Sequence, residues 1–249
     1  MIAQIFRKEL IYLWRYKVNT ISSIVLMSVI CIAITSSQRF AMAMQMTGGS
    51  KLTMIAPYFM WLVMMYNFNS ITEGISSDCV TGILEQLYVN ASSYIKVLLC
   101  RAMSSFCLNM IPLTIILGIV SVSSKISLLP FLNAAPVILL GIPAIWGLAL
   151  MAGALILRFK QAGTLVSILS TLLFIGMSFA SLNETLSTAL PFCLANKLSV
   201  AIIKDPSFGI ELGEALTIAA NSAAYMILGI LVFKIAEKNA KKHGKLGIH

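Results

Sequence analysis

The chain has 249 residues, of which 59% are hydrophobic and only 11% charged, with a mean hydropathy of +0.92. Soluble domains carry about 25% charged residues, so this composition excludes a freely soluble enzyme or binding module and indicates an all-α integral membrane protein. The formal charge of +9 suits contact with anionic lipid headgroups and gives no ground for nucleic-acid binding.

The first element, residues 2–17, reads IAQIFRKELIYLWRYK. Ile2, Ile5, Phe6, Leu10, Leu13 and Trp14 recur at helical spacing, while Arg7, Lys8 and Arg15 fall mostly elsewhere on the wheel. That pattern predicts an interfacial elbow helix along the inner leaflet, anchored by Arg7, Lys8, Trp14 and Arg15. An ordinary basic flank is the alternative, and Phe6, Tyr12, Trp14 and Tyr16 weigh against it because aromatic rings suit the headgroup level.

A bilayer crossing takes about 20 apolar residues, and six segments qualify: 18–37, 54–71, 97–122, 133–157, 162–182 and 215–233. Lipid offers the backbone no hydrogen bonds, so segments this long and apolar are expected as helices. Ala41-Met42-Ala43 after the first one imitates a secretory cleavage site. Its apolar run nevertheless exceeds the usual signal core of about 7 to 15 residues, and it is expected as a span. Thioethers at Met42, Met44 and Met46 could suit Cu(I), but methionine is also a pliable filler at the top of a span, so no metal is assigned.

The polar segment between the second and third spans reads SITEGISSDCVTGILEQLYVNASSYIKVLLC. Asp78 is placed to cap a short helix whose Val80, Ile83, Leu84 and Leu87 recur at helical spacing, and Asn90 or Ser92 to cap the third span. Further on, residues 183–214 contain TALPFCLANKLSVAIIKD, apolar but broken by Pro191, Asn196 and Lys197. That stretch is too short to cross and predicts a pair of short re-entrant or interfacial helices, with an ordered surface loop as the alternative. The C-terminal tail is a fraying helix end followed by a basic stub.

With the N-terminus inside, the inner side holds Arg7, Lys8, Arg15, Lys17, Lys96, Arg101, Arg158, Lys160, Lys234, Lys238, Lys241, Lys242 and Lys245. The outer side keeps Arg39, Lys51, Lys125, Lys197 and Lys204. The positive-inside rule then predicts both termini in the cytoplasm of a multi-pass cell-membrane protein. Of the five cysteines, Cys31, Cys100 and Cys107 fall in or beside spans, Cys79 in the inner loop, and Cys193 outward, which suggests no disulfide.

No span holds an Asp, Glu, His or Lys, and Arg101 lies near the end of one. Proton relays and intramembrane catalysis need such groups near the midplane, and His243 and His249 are both in the tail. A phosphate-binding loop is absent as well, since Gly244-Lys245 is followed by Leu246. Asn67, Asn69, Asn109 and Asn221, with Ser222, could line a translocation path or make hydrogen bonds between helices.

At GILEQLYVNAS the chain resembles the membrane subunit of type-2 ATP-binding-cassette exporters, whose first inner loop carries a Gly-Thr-Leu-Glu-Gln-Leu-like run before a Ser-Pro-like turn. Gly82, Leu84, Glu85, Gln86 and Leu87 match, while Ile83 stands for the threonine and Asn90-Ala91 for Ser-Pro. The amphipathic leader, six spans and outer hairpin extend the resemblance over nearly the whole chain. It implies that residues 75–90, with Asp78, Gly82, Leu84, Glu85, Gln86 and Leu87, form a coupling helix docking on a separate ATPase subunit. It also implies a second permease as partner, with no cofactor and no ATPase chemistry of its own. An ATP-independent facilitator or channel and a non-transporting assembly factor are the competing expectations.

Overall fold

The structure is a computed structural model that describes residues 2–15, 17–36, 52–82, 94–159, 163–180, 184–205 and 207–242. Among them every regular element is helical: α1 (Ile2–Arg15), α2 (Lys17–Ser36), α3 (Leu52–Val80), α4 (Tyr94–Ser124), α5 (Leu129–Phe159), α6 (Gly163–Ala180), α7 (Glu184–Ala189), α8 (Cys193–Lys204) and α9 (Leu212–Lys242). Each of the six apolar segments coincides with a long helix. Three stretches, Tyr94–Ser124, Leu129–Phe159 and Leu212–Ala240, are long and apolar enough to cross a membrane, and α2 adds the shorter apolar stretch Thr20–Ile34. By length and composition this is a helical membrane protein.

The central helix is α5, which packs on α9, α3 and α8, while α2 and α4 pack against α3 and against each other. Lipid tails are as apolar as leucine, so helices in a bilayer are held by close packing rather than by the hydrophobic effect. Small residues make that packing possible. A Cβ on Gly147 would lie 2.2 Å from the Tyr225 carbonyl oxygen, and one on Gly229 would lie 2.3 Å from the Gly147 carbonyl oxygen. The α5 and α9 backbones therefore touch. Gly153 similarly admits Ile75 of α3 and Phe233 of α9.

The outward faces are apolar. Ile111, Ile115, Ile119 and Val122 of α4, and Ile227, Leu231 and Ile235 of α9, are exposed at three- and four-residue spacing. Such faces suit lipid and would be a liability in water. Helix α1 exposes Phe6, Leu10, Ile11 and Trp14 and rests on α4.

Between α6 and α9 the chain forms the two short helices α7 and α8, joined through Pro191 and Phe192. One face of α8, with Cys193, Ala195, Leu198, Ser199, Ile202 and Ile203, is buried. Phe192 takes a left-handed φ of 63°, a conformation that costs a non-glycine residue about 1 to 2 kcal/mol. Its ring presses where Gly141 has no side chain: a Cβ there would come within 2.7 Å of it. Asn221 Nδ2 donates to the Thr188 and Ala189 carbonyls at 2.8 and 3.2 Å, and the Tyr225 hydroxyl donates to Ala189 at 3.1 Å. These donors satisfy carbonyls that the end of α7 leaves open.

One expectation is corrected. Asp78 caps no helix: α3 runs unbroken to Val80, so Asp78 and Cys79 stand in its last turns and residues 75–80 belong to it. The helix outlasts the apolar segment because one face stays polar while the other, with Ile71 and Ile75, remains buried. Cys193, the first residue of α8, is 4% exposed, and burial pushes its thiol up to about 11. Leu84, Glu85, Gln86 and Leu87, and also Met42, Met44 and Met46, lie outside the described residues.

Candidate functional site

The polar side chains gather where α1, α3 and α4 meet. On α3, Ser70, Glu73, Gly74, Ser77 and Asp78 follow one another at three- and four-residue intervals, which puts them on one face. On α4 the same spacing aligns Arg101, Ser105, Leu108 and Asn109, and on α1 it aligns Lys8, Ile11 and Arg15. Together with Glu9 these residues line a half-open cleft of about 740 Å³.

At its inner wall lies a buried ion pair. Arg101 Nη1 donates to Asp78 Oδ2 at 2.9 Å and Nη2 to Oδ1 at 3.3 Å, a two-pronged contact. The Tyr94 hydroxyl donates to the same Oδ2 at 2.9 Å. Side-chain exposure is 12% for Arg101 and 6% for Asp78, so both charges are largely withdrawn from water. The guanidinium can lie across α3 because position 74 is glycine; a Cβ there would stand 2.8 Å from Arg101 Nη1.

The pair reaches further in two directions. Arg101 Nε is 4.0 Å from Glu9 Oε1, which brings α1 to the cluster. The Tyr94 ring packs on Phe233 of α9 with centroids 5.9 Å apart, and both side chains are fully buried. Helices α1, α3, α4 and α9 therefore converge on one carboxylate. Gly82, at a left-handed φ of 70°, stands two residues past the end of α3 at Val80, where a glycine is the usual helix stop. Asp78 and Arg101 thus join α3 to α4 within the last turns of α3.

The remaining sequence candidates occupy different places. Asn67 is buried, donates Nδ2 to the Val63 carbonyl at 2.8 Å and accepts from Trp146 Nε1 of α5 at 3.4 Å. Asn109 lines the cleft and donates to the Tyr66 carbonyl at 3.4 Å, which joins α4 to α3. The Asn69 carbonyl accepts from the Thr72 hydroxyl at 3.3 Å, and Asn221 holds α7 against α9 as described. The helix-to-helix role considered for these asparagines is what Asn67, Asn109 and Asn221 perform. Of the anchors, Lys8 and Arg15 line the cleft, and Trp14 and Arg7 are exposed.

Sequence reasoning missed Glu9, Glu73, Tyr94 and the pairing of Arg101. The available signal was Ser70, Glu73, Ser77 and Asp78, whose spacing continues the period of the second span past its apolar end. No protein-family model matches the chain, and no curated protein matches it.

Proposed function

We propose that this chain is the membrane-spanning permease subunit of an ATP-binding-cassette exporter, with six spans, both termini cytoplasmic in the cell membrane, and a separate ATPase as its motor. Its cargo is an amphipathic drug, peptide or lipid-like solute that travels between this chain and a second permease. The observation that carries the reading is the run Gly82-Ile83-Leu84-Glu85-Gln86-Leu87, which begins where α3 ends. Short, polar and flanked by two long helices, it suits a soluble partner.

The Asp78–Arg101 pair supports the same reading mechanically. It ties α3 to α4 on the two sides of that run, so a displacement of the segment between them moves both helices as one body. Tyr94 and Phe233 extend the connection to α9, and Glu9 extends it to α1. Apolar spans without a midplane titratable group suit a transporter whose energy comes from another chain.

The experiment is purification from the native cell in mild detergent, followed by mass spectrometry of what stays bound. A stoichiometric ATPase subunit that is lost when residues 82–87 are replaced by Gly and Ser, or when Glu85→Arg is introduced, is the expected result. A chain that emerges alone across several detergents, with nucleotide present, refutes it. The polar cleft at α1, α3 and α4 favours a facilitator as the second reading, and solute flux that survives deletion of every candidate ATPase would select it.

A further inference from the structure

The cleft at α1, α3 and α4 has a charge pattern that the exporter reading does not use. Its lining includes three cations, Lys8, Arg15 and Arg101, and three carboxylates, Glu9, Glu73 and Asp78. Arg101 and Asp78 neutralise each other, and Glu9 leans toward Arg101. Among the described residues, no hydrogen bond or ion pair engages the side chains of Lys8 and Glu73. Lys8 stands on the α1 wall and Glu73 on the α3 wall. The cleft therefore carries a cation from one helix and a carboxylate from another, and Ser70, Ser77 and Ser105 are also part of its lining.

We propose that this cleft binds the headgroup of a zwitterionic aminophospholipid, with the phosphate toward Lys8 and Arg15 and the primary ammonium toward Glu73. This goes beyond the exporter reading and does not rest on it. A neutral but bipolar cleft gains little from a simple anion, because each cation that attracts the anion is matched by a carboxylate that repels it. A ligand carrying both charges satisfies both walls. The ammonium, unlike a quaternary choline nitrogen, also donates hydrogen bonds to Glu73, and bonds to charged groups are the stronger kind.

Access and size agree with a lipid. The volume of about 740 Å³ falls within the roughly 300 to 1,000 Å³ of small-molecule sites and leaves room for a headgroup with its glycerol. Ile11 lines the cleft, and Trp14 one turn on is 79% exposed on the same amphipathic helix. A headgroup lodged here can leave its acyl chains beside these side chains and the exposed Val18 and Ile21 of α2. The lipid is then a structural ligand bridging α1 to α3, alongside the protein's own Glu9–Arg101 contact.

The test is native mass spectrometry of the full-length protein, with any partners it retains, from nanodiscs of equal phosphatidylethanolamine, phosphatidylcholine and phosphatidylglycerol. Phosphatidylethanolamine should be retained about tenfold over the other two, as one hydrogen bond to a charged group implies. Glu73→Gln should erase its advantage over phosphatidylcholine, Lys8→Gln should weaken all three lipids, and Glu211→Gln, outside the cleft, should change nothing. Glu73 and Lys8 are exposed, and an unchanged gel-filtration profile checks that their variants fold. Should a variant misfold, wild-type protein supplies a second reading: phosphatidylethanolamine, but not phosphatidylcholine, should raise its melting temperature. Phosphatidylglycerol bound as well as phosphatidylethanolamine, with no effect of Glu73→Gln, would mean a plain anion site and overturn the proposal. Equal competition by glycerophosphoethanolamine would mean a soluble ligand, and no selective retention would mean no site; either result also overturns it.

Discussion

An Asp78→Ala substitution removes the carboxylate that Arg101 and Tyr94 share, and its consequence can be worked from the geometry. Removing one partner of a buried pair costs about 3 to 5 kcal/mol, because the other charge is left without compensation. Arg101 and Asp78, at 12% and 6% side-chain exposure, fall in that regime. The Tyr94 hydroxyl, on a residue that is 1% exposed, also loses its acceptor, which adds about 1 to 3 kcal/mol. Against this, Glu9 at 4.0 Å from Arg101 returns at most about 1 kcal/mol, as partly exposed pairs do. Arg101 also borders the cleft, so water relieves part of the stranded charge. The expected net loss is about 3 to 5 kcal/mol. Adding Arg101→Met to Asp78→Ala should recover about 2 kcal/mol of it, because the uncompensated cation is then gone. The assay is unfolding in mixed micelles of mild detergent and SDS, followed by tryptophan fluorescence in a Trp14→Phe background, which leaves Trp61 and Trp146. Additive losses in the double variant, or a loss under about 1 kcal/mol for Asp78→Ala, would refute the assignment of a buried, mutually dependent pair.

Four further outcomes are expected. Gly147→Ala should separate α5 from α9 and lower stability by about 1 to 3 kcal/mol, whereas Gly118→Ala and Gly176→Ala, with nothing within 4 Å of the added carbon, should gain up to about 1 kcal/mol; the same micelle titration measures both. Gly82→Ala should cost about 1 to 2 kcal/mol because its φ of 70° suits glycine, and that loss should appear in the same unfolding midpoint. Asn221→Ala should release the end of α7, and limited proteolysis should then cut between 184 and 192 faster than in wild type. Cys193, with its thiol pushed up to about 11, is almost wholly protonated at pH 7.5, since a thiolate appears only as pH approaches that value. Maleimide should spare it in the folded protein and label it after denaturation, and rapid labelling of folded protein would contradict its burial.

Much of the architecture was legible before the structure. Six long apolar runs allow little but helices, because the backbone must bond to itself in lipid. Residues 2–17 showed an amphipathic helix by period alone, and α1 (Ile2–Arg15) is that helix. Pro191 and Lys197 marked residues 183–214 as too broken to cross, and two short helices stand there. The boundary at Asp78 was misread for a local reason. Aspartate before an apolar period is a strong start signal, and hydropathy falls after Ile71, so a new helix was expected where the old one continues. Whether Asp78 caps a helix or pairs with Arg101, 23 residues away, is a long-range question that local propensity does not address.

The sequence by itself determined the class of protein, the rough position of the long helices among the described residues and the amphipathic character of α1, because each depends on composition or on a period within one segment. Only the tertiary structure decided that Arg101, Asp78, Tyr94 and Glu9 form one cluster, that Gly147 and Gly229 bring two backbones into contact, and that Cys193 is buried. These are matters of which faces meet. A helix shows its faces through its period, but the partner of each face is settled by packing among all the helices together.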